Sequence, residues 1–471
     1  MALVFGTDGV RGRVGSEIDE EKIVSLGIAA SRHLNTKRVY LGRDTRESSF
    51  VLAAALKQGL DHGGIEVISL GIAPTPEVAY VAKVENAGGA VISASHNSWF
   101  DNGVKLFGPG GLKISDSIQD LIQIDWDKEQ NERHIIGTPD LEDENDFRWV
   151  NSIISSADKG CFSGLKLVLD CANGATVNKA AVVFKELGAT VIEVSSNPDG
   201  RNINDGCGSN NPQNLIKEIL SSDSDIGFAF DGDGDRCGYV DNKGSEIYSD
   251  IMGLLLARNF SESHKKASFV VDVKSTGLFE TDEKLKSNKA KVEFWKTGHS
   301  YIKQKTFELD ALAGFERSGH YFFNAPIGRG YDDACLSAIQ VCKLLDENPK
   351  KDISDLKKEL PKTFNSPTMS PECPDEKKYQ IIEKIIEIIE EKYKKNTTIE
   401  GQKIITLLKV NGIRFTLEDG SWGLIRASSN TPNLVVVCES PVSENVLKGV
   451  FKFIDDILKK FKDIGTYDQS I

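Results

Sequence analysis

The sequence predicts an α/β protein that continues into a separate α+β region at its C-terminal end. Apolar runs of strand character recur along the chain, and each leads into a polar, glycine-containing turn and a stretch with helical periodicity. This order occurs three times before about residue 366, where the composition changes. We therefore expect three α/β domains and a smaller fourth domain.

The spacing of apolar residues assigns the elements in chain order. Helical periodicity covers residues 23–34 and 49–63, and the polar residues 115–155 are expected to form a surface helix and a connection between domains. The predicted strands are 38–41, 66–70, 90–94, 165–169, 190–194, 226–230, 268–272, 291–294 and 434–437. The expected domains are residues 1–150, 151–255, 256–367 and 368–471.

The C-terminal region begins with a segment of linker composition, Ser366-Pro-Thr-Met-Ser-Pro371. A helix is predicted after it, because one helical face collects Tyr379, Ile382, Ile385, Ile386, Ile389 and Tyr393. Strands and turns follow this helix, which is typical of an α+β domain.

Composition excludes several classes of function. The 471-residue chain has a formal net charge of −13 and no basic stretch to offset it, which argues against a nucleic-acid partner. No apolar run approaches the length of a membrane span, and the first residues do not resemble a secretion signal. Eight cysteines without paired spacing indicate free thiols in a reducing cytoplasm. An anionic ligand would have to be held by a few well-placed cations and helix N-termini.

A serine at the tip of a predicted strand is the first candidate for chemistry. The strand at 90–94 delivers Ser95, which is followed by His96 and Asn97. Asn102-Gly103 is expected to form a turn, and Lys105 supplies a cation after it. These residue types suit a nucleophile, although a Ser/Asn-rich turn without chemistry would have the same composition.

Three aspartates alternate with glycines after the strand at 226–230, namely Asp231, Asp233 and Asp235. Carboxylates at this spacing repel one another, and a hard divalent cation such as Mg²⁺ neutralises them. An EF-hand is excluded, because Arg236 and Asn242 occupy the positions where that loop needs glycine and glutamate. An acidic surface turn is the alternative, which the apolar strand before it disfavours.

A hydroxyl-rich loop follows Arg426 and contains Ser428, Ser429, Asn430 and Thr431. A guanidinium among hydroxyls and backbone N–H groups suits a phosphate, and a polar hairpin tip is the alternative. Two histidines, His299 and His320, lie in glycine-flanked turns, where a structural role is more common than a catalytic one.

Four motifs now stand in one order along the chain. Through them the chain resembles the α-D-phosphohexomutases along nearly its whole length: Ser93-Ala-Ser-His-Asn97, Asp231-Gly-Asp-Gly-Asp-Arg236, Phe315-Glu-Arg-Ser-Gly-His320 and Arg426-Ala-Ser-Ser-Asn-Thr-Pro432. The resemblance implies three related α/β domains with mixed sheets and a C-terminal α+β domain around a central cleft.

The resemblance also implies a role for each candidate residue. Ser95 is expected to carry the transferred phosphoryl group and to ligate Mg²⁺ together with Asp231, Asp233 and Asp235. The expected cations around that group are Arg11, Lys105 and Arg236, and the expected substrate contacts near the proton-transfer site are Lys274 and His299. Sugar hydroxyls are expected at Glu316 and Ser318, and the non-transferred phosphate at Arg426, Ser428, Asn430 and Thr431.

The reaction implied by the resemblance moves a phosphoryl group between C1 and C6 of a hexose. Phospho-Ser95 would donate to the free hydroxyl, and a bound glucose 1,6-bisphosphate would be both intermediate and activator. The expected partners are small sugar phosphates, with no nucleic acid and no membrane, for a cytoplasmic monomer or homodimer.

The motifs divide on which sugar is used. A resemblance to phosphoglucosamine mutases is found at Phe5–Gly12, Asn202–Gly208 and Ser93. A resemblance to phosphomannomutase/phosphoglucomutases is found at Lys296–Lys303, the Glu316 loop and the loop after Arg426. The second set lies where sugar and phosphate are expected to bind, so glucose and mannose phosphates are the expected substrates. Phosphoglucosamine mutase is the alternative, and a non-catalytic sugar-phosphate-binding protein is a more distant one.

One residue beside the nucleophile departs from the family pattern. Ser98 stands where the family usually has proline after His-Asn. This puts the stiffness of the loop in question, and not its chemistry.

Overall fold

A computed structural model describes residues 4–6, 9–130, 132, 134–144, 146–428, 431–469 and 471. The described chain divides into two compact units. The first contains Met1–Met252 and Ser318–Asp355, and the second contains Gly253–Arg317 and Leu356–Ile471. None of the helices in the described part of the chain has the length and apolarity that a membrane crossing requires.

The first unit opens with a five-stranded mixed sheet. Its strands are β1 (Val10–Arg13), β2 (Arg38–Arg43), β3 (Glu66–Ile72), β4 (Gly88–Ile92) and β5 (Asp101–Phe107), in the order β1-β5-β4-β2-β3. The strand β2 is parallel to β3 and β4, whereas β5 is antiparallel to β1 and β4. The helices are α1 (Glu20–Ser31), α2 (Ser49–His62), α3 (Thr75–Val84) and α4 (Asp116–Glu129).

A second mixed sheet completes the N-terminal segment of this unit. Its strands are β6 (Lys166–Asp170), β7 (Thr190–Val194), β8 (Ile226–Phe230), β9 (Cys237–Asp241) and β10 (Glu246–Ile247), in the order β10-β9-β8-β6-β7. The helices around it are α5 (Arg148–Ile154), α6 (Ala180–Glu186) and α7 (Gln213–Ser222). The strands β4 and β8 are buried at every residue, so each carries a polar loop out of an apolar layer.

The second unit contains three parallel strands in the order β12-β11-β13: β11 (Ser268–Asp272), β12 (Lys291–Trp295) and β13 (Ala313–Phe315). The helices α8 (Ser249–Ser263), α9 (Leu278–Thr281), α10 (Glu283–Ser287) and α11 (His299–Glu308) alternate with them. The chain then returns to the first unit, where it forms β14 (Tyr321–Phe323) and α12 (Ala334–Asp346), and α13 (Ile353–Lys358) leads back into the second unit.

An antiparallel sheet of six strands ends the second unit. The strands are β15 (Phe364–Asn365), β16 (Thr398–Ile399), β17 (Gln402–Leu408), β18 (Ile413–Leu417), β19 (Trp422–Ala427) and β20 (Leu434–Ser440), in the order β15-β20-β19-β18-β17-β16. Two amphipathic helices, α14 (Asp375–Lys394) and α15 (Glu444–Leu458), pack their isoleucines, leucines and valines into the same apolar core.

The predicted fold class is confirmed: three α/β segments with mixed or parallel sheets are followed by a segment with an antiparallel sheet. The domain boundaries stay predictions. The bounds of β7, β8 and β11 coincide with the predicted strands.

Three local predictions were wrong. Asn102-Gly103 does not turn but lies inside β5, where glycine is needed because a Cβ on Gly103 would meet the Val10 carbonyl oxygen at 2.3 Å. The segment 366–371 is not a free linker, since Met369 is fully buried and pairs with Val436. Tyr379 and Tyr393 are exposed, because the buried face of α14 runs instead through Lys378, Ile381, Ile382, Ile385 and Ile389.

Candidate active site

The nucleophile candidate Ser95 lies in the loop between β4 and β5. It is buried, and its φ of 52° is in the left-handed region that serine rarely adopts. Its hydroxyl Oγ donates a hydrogen bond of 2.7 Å to Asp231 Oδ2. The structure therefore brings Ser95 to the aspartate loop, 136 residues further along the chain.

The aspartate loop follows β8 and holds three buried carboxylates. Oxygen atoms of Asp231, Asp233 and Asp235 all lie within 4.8 Å of one another. Glycine is required between them, since a Cβ on Gly232 would meet the Ser95 carbonyl oxygen at 2.6 Å. The Oδ1 atoms of Asp233 and Asp235 are buried without a hydrogen-bond partner. Carboxylate oxygens this close together, two of them without a hydrogen-bond partner, suit a Mg²⁺ ion, so these residues fit the metal implied by the sequence.

Three cations surround the carboxylates. Lys105 Nζ donates to Asp233 Oδ2 at 2.6 Å and to Asp235 Oδ2 at 2.7 Å. The backbone N–H of Arg236 donates to Asp231 Oδ1 at 3.1 Å, and its Nε lies 3.9 Å from Asp231 Oδ2. Arg11 lies on β1 opposite Gly103, and its positive charge helps to lower the pKa of Asp233. All three predicted cations therefore belong to this cluster.

The carboxylates differ in how readily they ionise. Burial, reinforced by the charges of Asp235 and Asp233, raises the pKa of Asp231 well above its usual range. Burial opposes ionisation of Asp233 too, but the Lys105 ammonium and a 2.6 Å hydrogen bond from Thr75 hold its pKa well below the usual range. Ionisation is therefore favoured at Asp233 and disfavoured at Asp231.

His320, for which the sequence interpretation favoured a structural role, lies beside the carboxylate cluster. Its Nδ1 lies 2.9 Å from Asp332 Oδ2 and 3.7 Å from Asp235 Oδ1, and its Nε2 accepts a hydrogen bond of 2.9 Å from Arg236 Nε. It is buried beside the carboxylates. The signal was its place within Phe315-Glu-Arg-Ser-Gly-His320, a motif that the sequence had already singled out.

The second unit gathers another set of predicted residues where β11 and β13 end. The Asp272 carboxylate accepts hydrogen bonds from the backbone N–H of Lys274 at 2.6 Å and of Arg317 at 3.2 Å. Glu316 is buried and its Oε1 accepts from the Gly298 N–H at 2.7 Å, just before α11 begins at His299. Ser318, with which the chain re-enters the first unit, is exposed in the turn before β14.

Arg426, the penultimate residue of β19, lies near enough to Lys274 to affect its pKa. Burial lowers the pKa of Lys274, and the Arg426 guanidinium adds to that effect while Asp272 opposes it. The Arg426 Nε is buried without a hydrogen-bond partner. Two cations held close together with an unused donor form a suitable receptor for an anionic group.

The hydroxyl loop after Arg426 is described at Ser428 and Thr431, whose hydroxyls are hydrogen-bonded at 2.8 Å. Asn430 lies outside the described residues. A residue missed in the sequence, Lys378 on α14, donates to the Thr431 carbonyl oxygen at 3.1 Å and is buried. Helical periodicity could have found it, because position 378 lies on the apolar face with Ile381 and Ile385.

Comparisons with known proteins agree with this arrangement. Family models match three segments: phosphoglucomutase/phosphomannomutase α/β/α domain I at residues 2–133, domain II at 148–244 and domain III at 248–364. The phosphoglucosamine mutase of Clostridium tetani is 33% identical over 98% of this chain and 100% of its own length. That of Desulforamulus reducens is 38% identical over 74% of this chain and 80% of its own.

A crystal structure of similar fold is that of a phosphoglucomutase/phosphomannomutase family protein from Burkholderia thailandensis. It is 28% identical with a TM-score of 0.83, and the match covers 100% of both chains. The names of the two sequence relatives agree with the alternative specificity given by the N-terminal motifs. The expected preference for glucose and mannose phosphates is not confirmed.

Proposed function

Since this chain belongs to the α-D-phosphohexomutase superfamily, we propose that it is a phosphoglucosamine mutase, which interconverts glucosamine 6-phosphate and glucosamine 1-phosphate. The observation that carries this choice of sugar is the 33% identity to a phosphoglucosamine mutase across 98% of the chain. The motifs at Phe5–Gly12 and Asn202–Gly208 support the same sugar.

The proposed reaction uses Ser95 as the carrier of the phosphoryl group. Phospho-Ser95 transfers its phosphoryl group to the free hydroxyl of the sugar phosphate, and the hydroxyl proton leaves to a base, a role we assign to His299 with Lys274 beside it. The resulting 1,6-bisphosphate turns around, and its other phosphoryl group returns to Ser95. The proximity of the Ser95 hydroxyl to the carboxylate cluster supports this assignment.

The cations have a separate task in this proposal. Lys105, Arg11 and Arg236 neutralise charge on the transferring oxygens, which is the main requirement of phosphoryl transfer. Mg²⁺ would be held by Asp231, Asp233, Asp235 and Ser95, and when bound it supplies further positive charge to the phosphoryl oxygens. The buried, unpaired Oδ1 atoms of Asp233 and Asp235 support these ligands.

We assign recognition of the sugar and of the non-transferred phosphate to a second set of residues. Glu316 accepts from a ring hydroxyl with Ser318 from the adjoining turn, and Arg426 binds the phosphate with Ser428, Asn430 and Thr431. The unused Nε donor of Arg426 supports its role, since a phosphate oxygen would satisfy it.

A glucose/mannose specificity is the second candidate. The observation in its favour is the resemblance of Lys296–Lys303 and of the loop after Arg426 to phosphomannomutase/phosphoglucomutases. These segments adjoin Glu316 and Arg426, the residues proposed to bind sugar and phosphate.

The deciding experiment is kcat/KM on glucosamine, glucose and mannose 6-phosphates under one condition. We expect glucosamine 6-phosphate to be preferred by about tenfold or more, equal to about 1.4 kcal/mol in transition-state binding. The Ser95→Ala variant is the control for contaminating mutases. A preference for glucose or mannose phosphate would reverse the choice of sugar, and no turnover of any of the three would favour a binding protein without catalysis.

A further inference from the structure

A buried ion pair lies beneath the Ser95 loop. Asp44 and Arg46 follow β2, in the turn that leads into α2. Arg46 Nε donates to Asp44 Oδ2 at 2.8 Å, and both side chains are 0% exposed. Burying a guanidinium is costly unless every N–H finds an acceptor, so the remaining four donors need partners.

All four remaining donors of Arg46 are directed at one loop. They bind backbone carbonyl oxygens of Ser95 at 2.9 Å, Asn97 at 2.9 Å, Asp101 at 3.0 Å and Ser98. One rigid side chain therefore holds the loop from residue 95 to residue 101 at four points. A lysine has a single ammonium group with three donors and no planar fork, so it could not make this set of contacts.

The same ion pair also reaches the other side of the Ser95 backbone. Asp44 Oδ2 accepts a hydrogen bond of 2.6 Å from Ser93 Oγ, which in turn accepts one of 2.8 Å from the Ser95 N–H. The N–H and the C=O of Ser95 are thus both connected to Asp44 and Arg46. A left-handed serine is unfavourable by itself and persists only where its surroundings over-determine it.

We propose that Arg46, supported by Asp44, is a positioning residue for the nucleophile. It holds Ser95 in the left-handed conformation that places Oγ 2.7 Å from Asp231 Oδ2. In this role Arg46 acts through the backbone of the loop and not through the three aspartates of the metal site. The proposal rests on the proposed function, because the orientation of Ser95 matters for turnover only if Ser95 carries the phosphoryl group.

The test is Arg46→Lys in the full-length protein with Mg²⁺. Misplacing a reacting group by about an ångström costs about 100-fold in rate, so we expect kcat to fall by about that factor. KM for the sugar phosphate should stay within about twofold, because no substrate contact is removed. The rate at which a hexose 1,6-bisphosphate phosphorylates Ser95, followed by intact mass, should fall together with kcat.

A matched control lies three residues earlier. Arg43 pairs with Asp143 through two hydrogen bonds of 2.8 and 2.7 Å, and these contacts do not involve residues 95–101. Arg43→Lys should leave kcat and the phosphorylation rate unchanged. Equal loss in both variants, wild-type kcat in Arg46→Lys, or a loss carried by KM alone would overturn the proposal. Failure of wild-type Ser95 to accept phosphate would instead overturn the proposed function.

A second variant keeps the proposal testable if Arg46→Lys does not fold. Asn204 Nδ2 donates to the same carbonyl oxygens, at 2.8 Å to Ser95 and 3.1 Å to Asn97. Asn204 has a φ of 56°, which glycine adopts without strain, so Asn204→Gly removes the donor and keeps the backbone. A lower kcat with unchanged KM supports positioning through these carbonyls, and wild-type kcat contradicts it.

Discussion

At the scale of the residue, two buried cations, Lys105 and Arg46, bind the acceptor oxygens of the candidate site. Lys105 binds one oxygen each of Asp233 and Asp235, and the other oxygen of each has no hydrogen-bond partner. Arg46 likewise acts as a buried cation, but it binds backbone carbonyl oxygens of the Ser95 loop. Ser98 stands where the family usually has a proline that would stiffen the loop. In this chain the carbonyl of Ser98 is one of the four that Arg46 binds. The loop is braced by a side chain from another turn.

The Ser95 hydroxyl itself should be indispensable. We expect Ser95→Ala to lower kcat by roughly 10³-fold or more, because the atom that accepts the phosphoryl group is gone. The fold should be kept, since only a buried hydroxyl is removed. Turnover and intact mass after incubation with a hexose 1,6-bisphosphate would measure both points. Ser98→Ala, in the same loop, is the control that should keep activity and phosphorylation, and full activity in Ser95→Ala would refute the assignment.

Glu77 should make the stability of the first unit depend on pH. It is 0% exposed and its Oε2 lies 2.5 Å from Lys179 Nζ, yet burial outweighs that ammonium and raises the pKa of Glu77 from 4.5 to about 7. A carboxyl whose pKa is higher in the folded than in the unfolded state makes its full contribution to the free energy of unfolding below pH 4.5. That contribution is lost as pH rises to about 7, and the change is up to about 3 kcal/mol.

The measurement for this linkage compares Glu77→Gln with wild type. The amide cannot ionise, so the unfolding temperature of the variant should decline less between pH 5 and pH 7.5. Glu66→Gln, at an exposed pair with Arg38, is the control and should follow wild type. Parallel curves for Glu77→Gln and wild type would show that Glu77 stays ionised throughout.

Polar groups at the ends of strands carry the chemistry at the scale of the element. The strands β8 and β13 each end one residue before a candidate, β11 ends two residues before Lys274 and β4 three before Ser95, and β19 contains Arg426. The sheet of β18 to β20 also supports the turn after β11. Arg414 Nη1 donates to the carbonyl oxygens of Val273 and Ser275, both at 2.8 Å, and its guanidinium stacks 3.8 Å over the Trp422 ring. Those two carbonyls flank Lys274.

Loss of the Arg414 guanidinium should destabilise the second unit and loosen Lys274. We expect Arg414→Met to cost about 2–4 kcal/mol, because two buried carbonyl oxygens lose their donor. KM for the sugar phosphate should rise as well. Denaturant unfolding and steady-state kinetics would measure the two effects. Lys409→Met, which breaks the exposed pair with Glu390, should change neither, and an unaltered Arg414→Met protein would refute the support we describe.

The whole molecule divides its proposed tasks between two compact units. The first contains Ser95, the three aspartates and the three cations of phosphoryl transfer. The second contains Lys274, His299, Glu316 and Arg426. Each group is assembled inside its own unit from loops that follow different strands, so each can be tested by itself.

Mg²⁺ should therefore stabilise the first unit selectively. We expect the ion to slow amide exchange at residues 93–105 and 226–237, by up to about 100-fold when it is present at 100 times its dissociation constant. Peptides from β17 to β20 should be unchanged, because the second unit has none of the proposed ligands. Exchange measured by mass spectrometry with and without a chelator tests this, and Asp235→Asn should abolish the response. Uniform slowing, or none, would contradict the proposed ligand set.

The sequence by itself predicted many of the elements and named the candidate reactive residues. Apolar periodicity is a property of short stretches, and it predicted β7, β8 and β11 to the residue. The motifs around Ser95 and Asp231 predicted a metal site beside a nucleophile, since alternating carboxylates repel one another without a cation whatever the fold around them.

Only the tertiary structure decided which residues support one another. Arg46 is 49 residues from Ser95 in the chain, and Lys105 is 130 residues from Asp235. No local pattern records these contacts. The Arg46 contact exists because β2 and β4 are parallel neighbours, so the loops that follow them leave the sheet at the same edge. The Lys105 contact joins a strand of the first sheet to a loop of the second. Tertiary packing also decides whether the pKa of an aspartate rises or falls. Burial raises the pKa of Asp231, whereas the Lys105 ammonium lowers that of Asp233, and both effects come from segments far apart in the chain.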